Sequence, residues 1–291
     1  MSVLVVHSKA DLAKARAALP GRVAVVPTMG ALHDGHRANF KRAKETADSV
    51  IVTIFVNPLQ FRPTEDLDKY PRTLDADLAM CEEEGVDLVF APSVNEMYPG
   101  GREGLTTVHA GPDGELLEGA SRPGFFTGVL TVVSKLFHLT RPDAACFGEK
   151  DFQQLAMVRR MVADLDMGIE ILSVPTNREA DGLARSSRNA FLSAAERDAA
   201  LAIPAAIGAA QASPDPLAAA RRTLAAEPGL DVDYVVVRAN DLGETPEEGP
   251  ARLLIAAKAG TTRLIDNASV YIGHSVVGND AIGHRTIGDP R

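Results

Sequence analysis

Val23-Ala24-Val25-Val26-Pro27-Thr28-Met29-Gly30-Ala31-Leu32-His33-Asp34-Gly35-His36 is the stretch on which the fold turns. The apolar run Val23 to Val26 has the character of a buried strand, and the segment from Arg37 to Asp48 that of a helix. A strand, a glycine-containing turn and a helix in succession leave backbone N–H groups at the helix N-terminus facing an anion. His33 and His36 stand at that mouth with Gly35 between them. Two imidazoles three residues apart reach one polyphosphate, while the glycine leaves room for a nucleotide to lie against backbone. A pair of surface histidines or half a zinc site would show the same four residues. Zinc is the weaker reading, because neither cysteine is near this loop and no third ligand is close in sequence.

With 291 residues, the chain is long enough for one large domain or two modest ones. Its net charge of −9 argues against a broad nucleic-acid or anionic-membrane surface, since such surfaces are built from clustered Lys and Arg. An anionic ligand must then be held by a local positive site. Cys81 and Cys146 are the only cysteines, so buried free thiols and a cytoplasmic setting are expected. No run approaches the length of a membrane span.

Strands and helices alternate along the first 180 residues. Helices are expected over Asp11–Leu19, Leu74–Glu84, Gly124–Leu139 and Phe152–Leu165, and strands over Ser49–Val56, Val86–Phe90, Asp143–Phe147 and Ile169–Val174. A further short strand is expected over Leu105–Ala110, inside a Gly- and Pro-rich excursion. This alternation implies right-handed βαβ units and a parallel sheet of Rossmann type, with ligands beyond the carboxyl ends of its strands.

Three more loops share that rim. Asn57 and Gln60 follow the second strand and suit a hydroxylated small molecule, with Tyr70 nearby; a polar turn is the plainer reading of each amide. Phe147-Gly148-Glu149-Lys150-Asp151 repeats the strand, glycine, helix arrangement, with a lysine for phosphate and an aspartate for ribose hydroxyls. Arg185-Ser186-Ser187-Arg188 follows a flexible Asp181-Gly182 and offers hydroxyls, amides and guanidinium groups. Beyond Leu192 come alanine-rich helices over 193–212 and 216–226. Short strands of a small antiparallel sheet follow, over Asp233–Arg238, Arg252–Ala257, Thr262–Asp266 and Ala268–Ile272. The expected division is 1–185, 186–272 and a polar tail at 273–291.

Five motifs in this order closely resemble the pantothenate synthetase family, ATP-dependent ligases that join pantoate to β-alanine. They are Pro27 to His36, Phe55 to Phe61, Tyr70 to Thr73, Phe147 to Leu155, and Arg178 to Gly182 with Ser186 to Asn189. The resemblance runs to about Asn267 and implies a homodimer with a Rossmann-type domain and a smaller α+β lid. It implies that Met29, Gly30, Ala31, Leu32, His33, Asp34, Gly35 and His36 bind ATP, with Gly148, Glu149, Lys150 and Asp151, and Asn177 by its backbone. Arg185, Ser186, Ser187 and Arg188 are expected on the phosphates, and His33, His36 and Lys150 in catalysis. Gln60 and Gln154 are expected to grip pantoate, with Thr28, Asn57 and Tyr70 lining its neighbourhood. Mg²⁺ is expected with ATP, and Asp77 is the surviving candidate ligand. No nucleic acid or membrane partner is expected. Phe125 departs from the family pattern, which has histidine before Phe126. Other H-x-G-H nucleotidylyltransferases, or a non-catalytic nucleotide-binding homologue, are the alternatives.

Overall fold

The computed structural model describes residues 3–61 and 67–273; most of the expected tail, 274–291, lies outside them. Six strands form one parallel sheet: β1 (Leu4–Val6), β2 (Val23–Thr28), β3 (Ser49–Ile54), β4 (Leu88–Phe90), β5 (Ala144–Gly148) and β6 (Glu170–Val174). Between them run α1 (Lys9–Ala18), α2 (Asp34–Thr46), α3 (Leu74–Glu83), α4 (Val94–Met97), α5 (Glu118–Ser121), α6 (Phe125–Thr140) and α7 (Phe152–Asp164). Strand order is β1-β4-β3-β2-β5-β6. The chain winds outward from β2 to β4 on one side, then returns to lay β5 and β6 on the other. Its direction therefore reverses between β2 and β5, and the crevice outside their carboxyl ends is where such sheets bind ligands.

The β-branched runs of the sequence become central strands because both faces are covered. Side chains alternate in a strand, so Val23, Val25 and Ile51 enter one core with α6 and α7, while Ala24, Val26, Val50 and Val52 enter another with Phe40 and Ala43 of α2 and Cys81 of α3. Cys81 and Cys146 are buried free thiols, and burial pushes both up to about 12.

The rest of the chain forms α8 (Ala194–Ala200), α9 (Ala202–Gln211) and α10 (Pro216–Ala225) packed on an antiparallel sheet of β7 (Leu230–Arg238), β8 (Gly249–Ala259) and β9 (Thr262–Ile272). Alternation works here too: Leu253 and Ile255 face this helical core, whereas Leu254 joins the core of the parallel sheet. No helix among the described residues is long and apolar enough to cross a membrane.

Four expectations need correction. Residues 105–110 form no strand; the Val108 N–H donates to Thr131 Oγ1 of α6 (3.0 Å) instead of to a strand, and Leu105 and Val108 pack on the core as loop residues. The helix expected over 193–212 is two helices meeting at Leu201. Pro204, in the first turn of α9, has no N–H to give the carbonyl four residues back, so the ladder breaks there. The two strands expected at 262–266 and 268–272 are one, in unbroken register with β8. Strand β1 was not expected: at three residues it is too short to show a period.

Candidate active site

The loop after β2 is held by side chains of β2 and α3 and by a backbone carbonyl of β3. Thr28 Oγ1 donates to Thr53 O (2.7 Å) and accepts from Gly30 N (3.2 Å). Gly30 has φ +81°, and a Cβ there would lie 2.9 Å from Asp77 Oδ2. Ala31 follows at φ +50°, a left-handed conformation that a non-glycine residue rarely adopts. Asp77, 2% exposed on α3, holds it: Oδ2 accepts from Ala31 N (3.1 Å), and Oδ1 from Leu32 N (2.8 Å) and the Thr73 hydroxyl (3.1 Å).

The two histidines then cap α2 with each other's backbone. Gly35 N donates to His33 Nδ1 (3.1 Å), and His33 N donates to His36 Nδ1 (3.2 Å). This is the reciprocal geometry of a capping box, built from imidazoles in place of a hydroxyl and a carboxylate. Their rings stand 4.2 Å apart. A Cβ on Gly35 would lie 2.8 Å from His33 Cε1, which is why glycine separates them. Because both Nδ1 atoms accept, the neutral rings carry their protons on Nε2. Burial lowers His33, with Lys150 adding to it. Burial, then the neighbouring His33, lowers His36 to about 3. Both are neutral Nε2–H donors near pH 7, and His36 has no free lone pair with which to act as a base.

A cavity of about 1070 Å³ opens over this rim. It brings together Thr28, Met29, Gly30, Ala31, His33, Gly35 and His36 with Gly148, Lys150 and Asp151, with Asn177, and with Arg185, Ser186, Ser187 and Arg188. Gln60, Asn57, Tyr70, Gln154 and Phe125 line it as well. Leu32, Asp34, Glu149 and Asp77 do not. Leu32 packs on the core beside α2, and Asp34 Oδ2 pairs with Arg185 Nη1 at 2.9 Å. Glu149 Oε2 accepts from Arg252 (3.0 Å), and Asp77 is turned to the loop amides. Among the described residues no group of three or more His, Cys, Asp or Glu could hold a metal ion.

The amide end of the cavity is braced from beneath. Asn57, 1% exposed, donates from Nδ2 to Gln60 Oε1 (3.0 Å) and Gly128 O (3.1 Å), while its Oδ1 accepts from Tyr98 (2.8 Å) and Leu59 N (3.3 Å). Its polar atoms are thus used internally, and it orients Gln60, whose Nε2 lies 3.2 Å from the Met29 sulfur. Gln153 is buried and bonds Glu118 N, Asp113 O and Leu116 O, leaving Gln154 as the glutamine of this pair with a half-buried side chain at the cavity. The Tyr70 ring meets Phe61 edge-on at 5.7 Å, and burial raises its hydroxyl. At Phe125 the Arg122 guanidinium stacks 3.9 Å from the ring centroid and donates to Gln60 O (3.0 Å). A cation thus lies on the aromatic face of Phe125 at the edge of the cavity.

The remaining wall is supplied by β7, β8 and β9, which sequence reasoning did not bring to the site. Arg263 bonds both oxygens of Glu118 (2.7 and 2.6 Å) and Asp233 Oδ2 (2.7 Å), and Tyr234 donates to Glu118 Oε1 (2.9 Å). Asp266 holds Arg178 through both oxygens (2.7 and 3.0 Å). The one signal in the sequence is the polar pair Asp266-Asn267, of which Asp266 ends one expected strand and Asn267 falls between it and the next.

The model of the family described as "Pantoate-beta-alanine ligase" matches residues 4–269. A pantothenate synthetase of Nocardia farcinica is 55% identical over 281 residues, covering 94% of this chain and 88% of that protein. One of Salinispora arenicola is 57% identical over 275 residues, covering 92% and 97%. Among solved structures, a pantothenate synthetase of Thermus thermophilus has 46% identity and a TM-score of 0.84, with 92% of this chain and all of that one covered. A pantoate-beta-alanine ligase of Francisella tularensis, complexed with beta-gamma ATP and beta-alanine, has 33% identity and a TM-score of 0.76, covering 91% and 97%. With its parallel sheet, its crevice at the β2/β5 reversal and its paired histidines, the chain belongs to the pantoate–β-alanine ligase family.

Proposed function

We propose that this cavity joins pantoate to β-alanine at the expense of ATP, through a pantoyl adenylate, for pantothenate biosynthesis. The observation that carries the reading is the meeting of phosphate-suited groups (His33, His36, Lys150, Ser186 to Arg188) and amide groups (Gln60, Gln154) in one cavity at the topological reversal.

A carboxylate must be activated before an amine can displace its oxygen. The pantoate carboxylate, held by Gln60 and Gln154, attacks the α-phosphorus of ATP in line, and the bond to the bridging oxygen breaks to release pyrophosphate. Negative charge grows on the α-phosphate and the leaving oxygen. Lys150 offsets it as a cation, and His33 and His36 as neutral Nε2–H donors at the start of α2. The neutral amine of β-alanine then attacks the acyl carbon, the amide forms, AMP leaves with the bonding pair, and the amine's extra proton passes to solvent.

Mg²⁺ enters as part of the MgATP substrate. An octahedral ion usually keeps its waters and substrate phosphates with one or two carboxylates. The oxygens of Asp77 already serve Ala31, Leu32 and Thr73, so no step is assigned to an ion held by this chain. We further propose the division near 185/186, supported by the separate helical core of the C-terminal part, which Leu183 also joins, and, on the family resemblance alone, a cytoplasmic homodimer.

The reading is tested with purified protein, ATP and pantoate, with and without β-alanine, following pyrophosphate and AMP. Pyrophosphate should need pantoate, and AMP should need both acids. Pyrophosphate release without pantoate would refute it.

A further inference from the structure

Asn267 belongs to β9 by chain but to the nucleotide rim by bonding. It is 4% exposed, and its Nδ2 donates to two consecutive carbonyls, Glu149 O (2.8 Å) and Lys150 O (2.9 Å). Those carbonyls belong to the turn Glu149–Asp151 between β5 and α7, which has no side-chain cap of its own. The opposite amide orientation would set oxygen against two oxygens, so the bonding network fixes which way the side chain faces. Its Oδ1 is buried and makes no hydrogen bond. A buried acceptor left without a donor is unfavourable, and an aliphatic residue would fill a strand position without that penalty. What distinguishes asparagine here is the donor half.

The neighbours act in the same sense. Arg252 of β8 reaches Glu149 Oε2 (3.0 Å) and stacks 3.8 Å from the Phe152 ring centroid, pinning the far side of the same turn. Asp266, one residue before Asn267, holds Arg178, which donates to Gly182 O (3.0 Å) and pairs with Ala184 in a bridge leading to Ser186–Arg188. One strand of the second sheet thus grips the turn carrying Lys150 and the hairpin feeding the serine loop. The spacing of two loops on the parallel sheet is set by a third element.

We propose that Asn267 is a positioning residue for Lys150: its amide fixes the turn so that the ammonium meets the ATP phosphates without rearrangement. The proposal rests on the assignment of Lys150 to those phosphates. The test is ATP affinity by calorimetry for the full chain, Asn267→Ala, Lys150→Ala and the double variant. Lys150→Ala should weaken ATP binding. Asn267→Ala should weaken it about tenfold alone and less than twofold when Lys150 is already absent, as for residues acting through one another. Undiminished loss in the double variant overturns the proposal, as does a lowered melting temperature with unchanged ATP affinity. Unchanged affinity in Lys150→Ala refutes the assignment of Lys150 itself. If Asn267→Ala does not fold, Asn267→Ser, which keeps a donor, should bind ATP more tightly than the near-isosteric Asn267→Asp, which lacks one. Equal affinities would then overturn it.

Discussion

At the residue scale, the proposed chemistry depends on which imidazole nitrogen carries the proton. His33 and His36 spend Nδ1 on backbone amides and so present Nε2–H. Removing one such donor at a charge-developing centre reduces turnover by about 10²–10³. His36→Ala should show that loss in pantoate-dependent pyrophosphate release, with its circular dichroism unchanged. The titration follows from the same burial. His36 falls from an ordinary 6.5 to about 3 in the fold, so between those values the unfolded chain binds the extra proton and the folded chain does not. The contribution of His36 to stability is therefore fully present above pH 6.5 and is lost as pH falls toward 3. Denaturant midpoints at pH 7 and pH 5 should differ less for His36→Asn than for the parent. Gly35→Ala should displace the His33 ring, whose Cε1 lies 2.8 Å from the added Cβ, and raise the KM for ATP more than that for pantoate.

At the element scale, the decisive contact is α6 against the turn Pro58–Gln60. A Cβ on Gly128 would stand 2.3 Å from Leu59 O, so the helix approaches the backbone that carries Gln60 as closely as only glycine allows. Gly128→Ala should force the turn away, destabilise the fold by about 1–3 kcal/mol and raise the KM for pantoate; an unchanged KM would detach Gln60 from the acid. Elements with a long period were legible in the sequence. The β-branched runs of β2 and β3 and the dense apolar face of α6 announce themselves because each is buried along its whole length. Two failures had different causes: a neighbour, Thr131, took the amide of Val108, and within the alanine-rich stretch Pro204 broke a helix that alanine content alone would have continued.

At the scale of the whole molecule, the second sheet is tied to the first through Arg263, which bridges Glu118 of α5 and Asp233 of β7. The side chain of Arg263 is 23% exposed and that of Glu118 12%. Arg263→Met should lower unfolding stability by about 2 kcal/mol, below the range for fully buried pairs because water partly screens it. Replacing Glu118 by Gln as well should recover part of the loss, as chemical denaturation would show.

The sequence by itself determined the class of the fold, the order of the rim loops and His33, His36, Lys150 and Gln60 as candidates, while Gln154 came only with the family resemblance. Period and spacing along the chain are local properties, and those four residues lie in the loops and turns that follow strand ends. Tertiary structure alone decided their supports. Asp77 shapes the loop at Ala31, Asn57 orients Gln60, and Asp266 and Asn267 grip the hairpin before Ser186 and the turn that carries Lys150. Each of these is a polar side chain from a distant segment satisfying a backbone or side-chain group in the site. Such pairings are fixed only when the sheets are assembled, because a buried hydrogen bond joins residues by distance in space and leaves no period in the sequence.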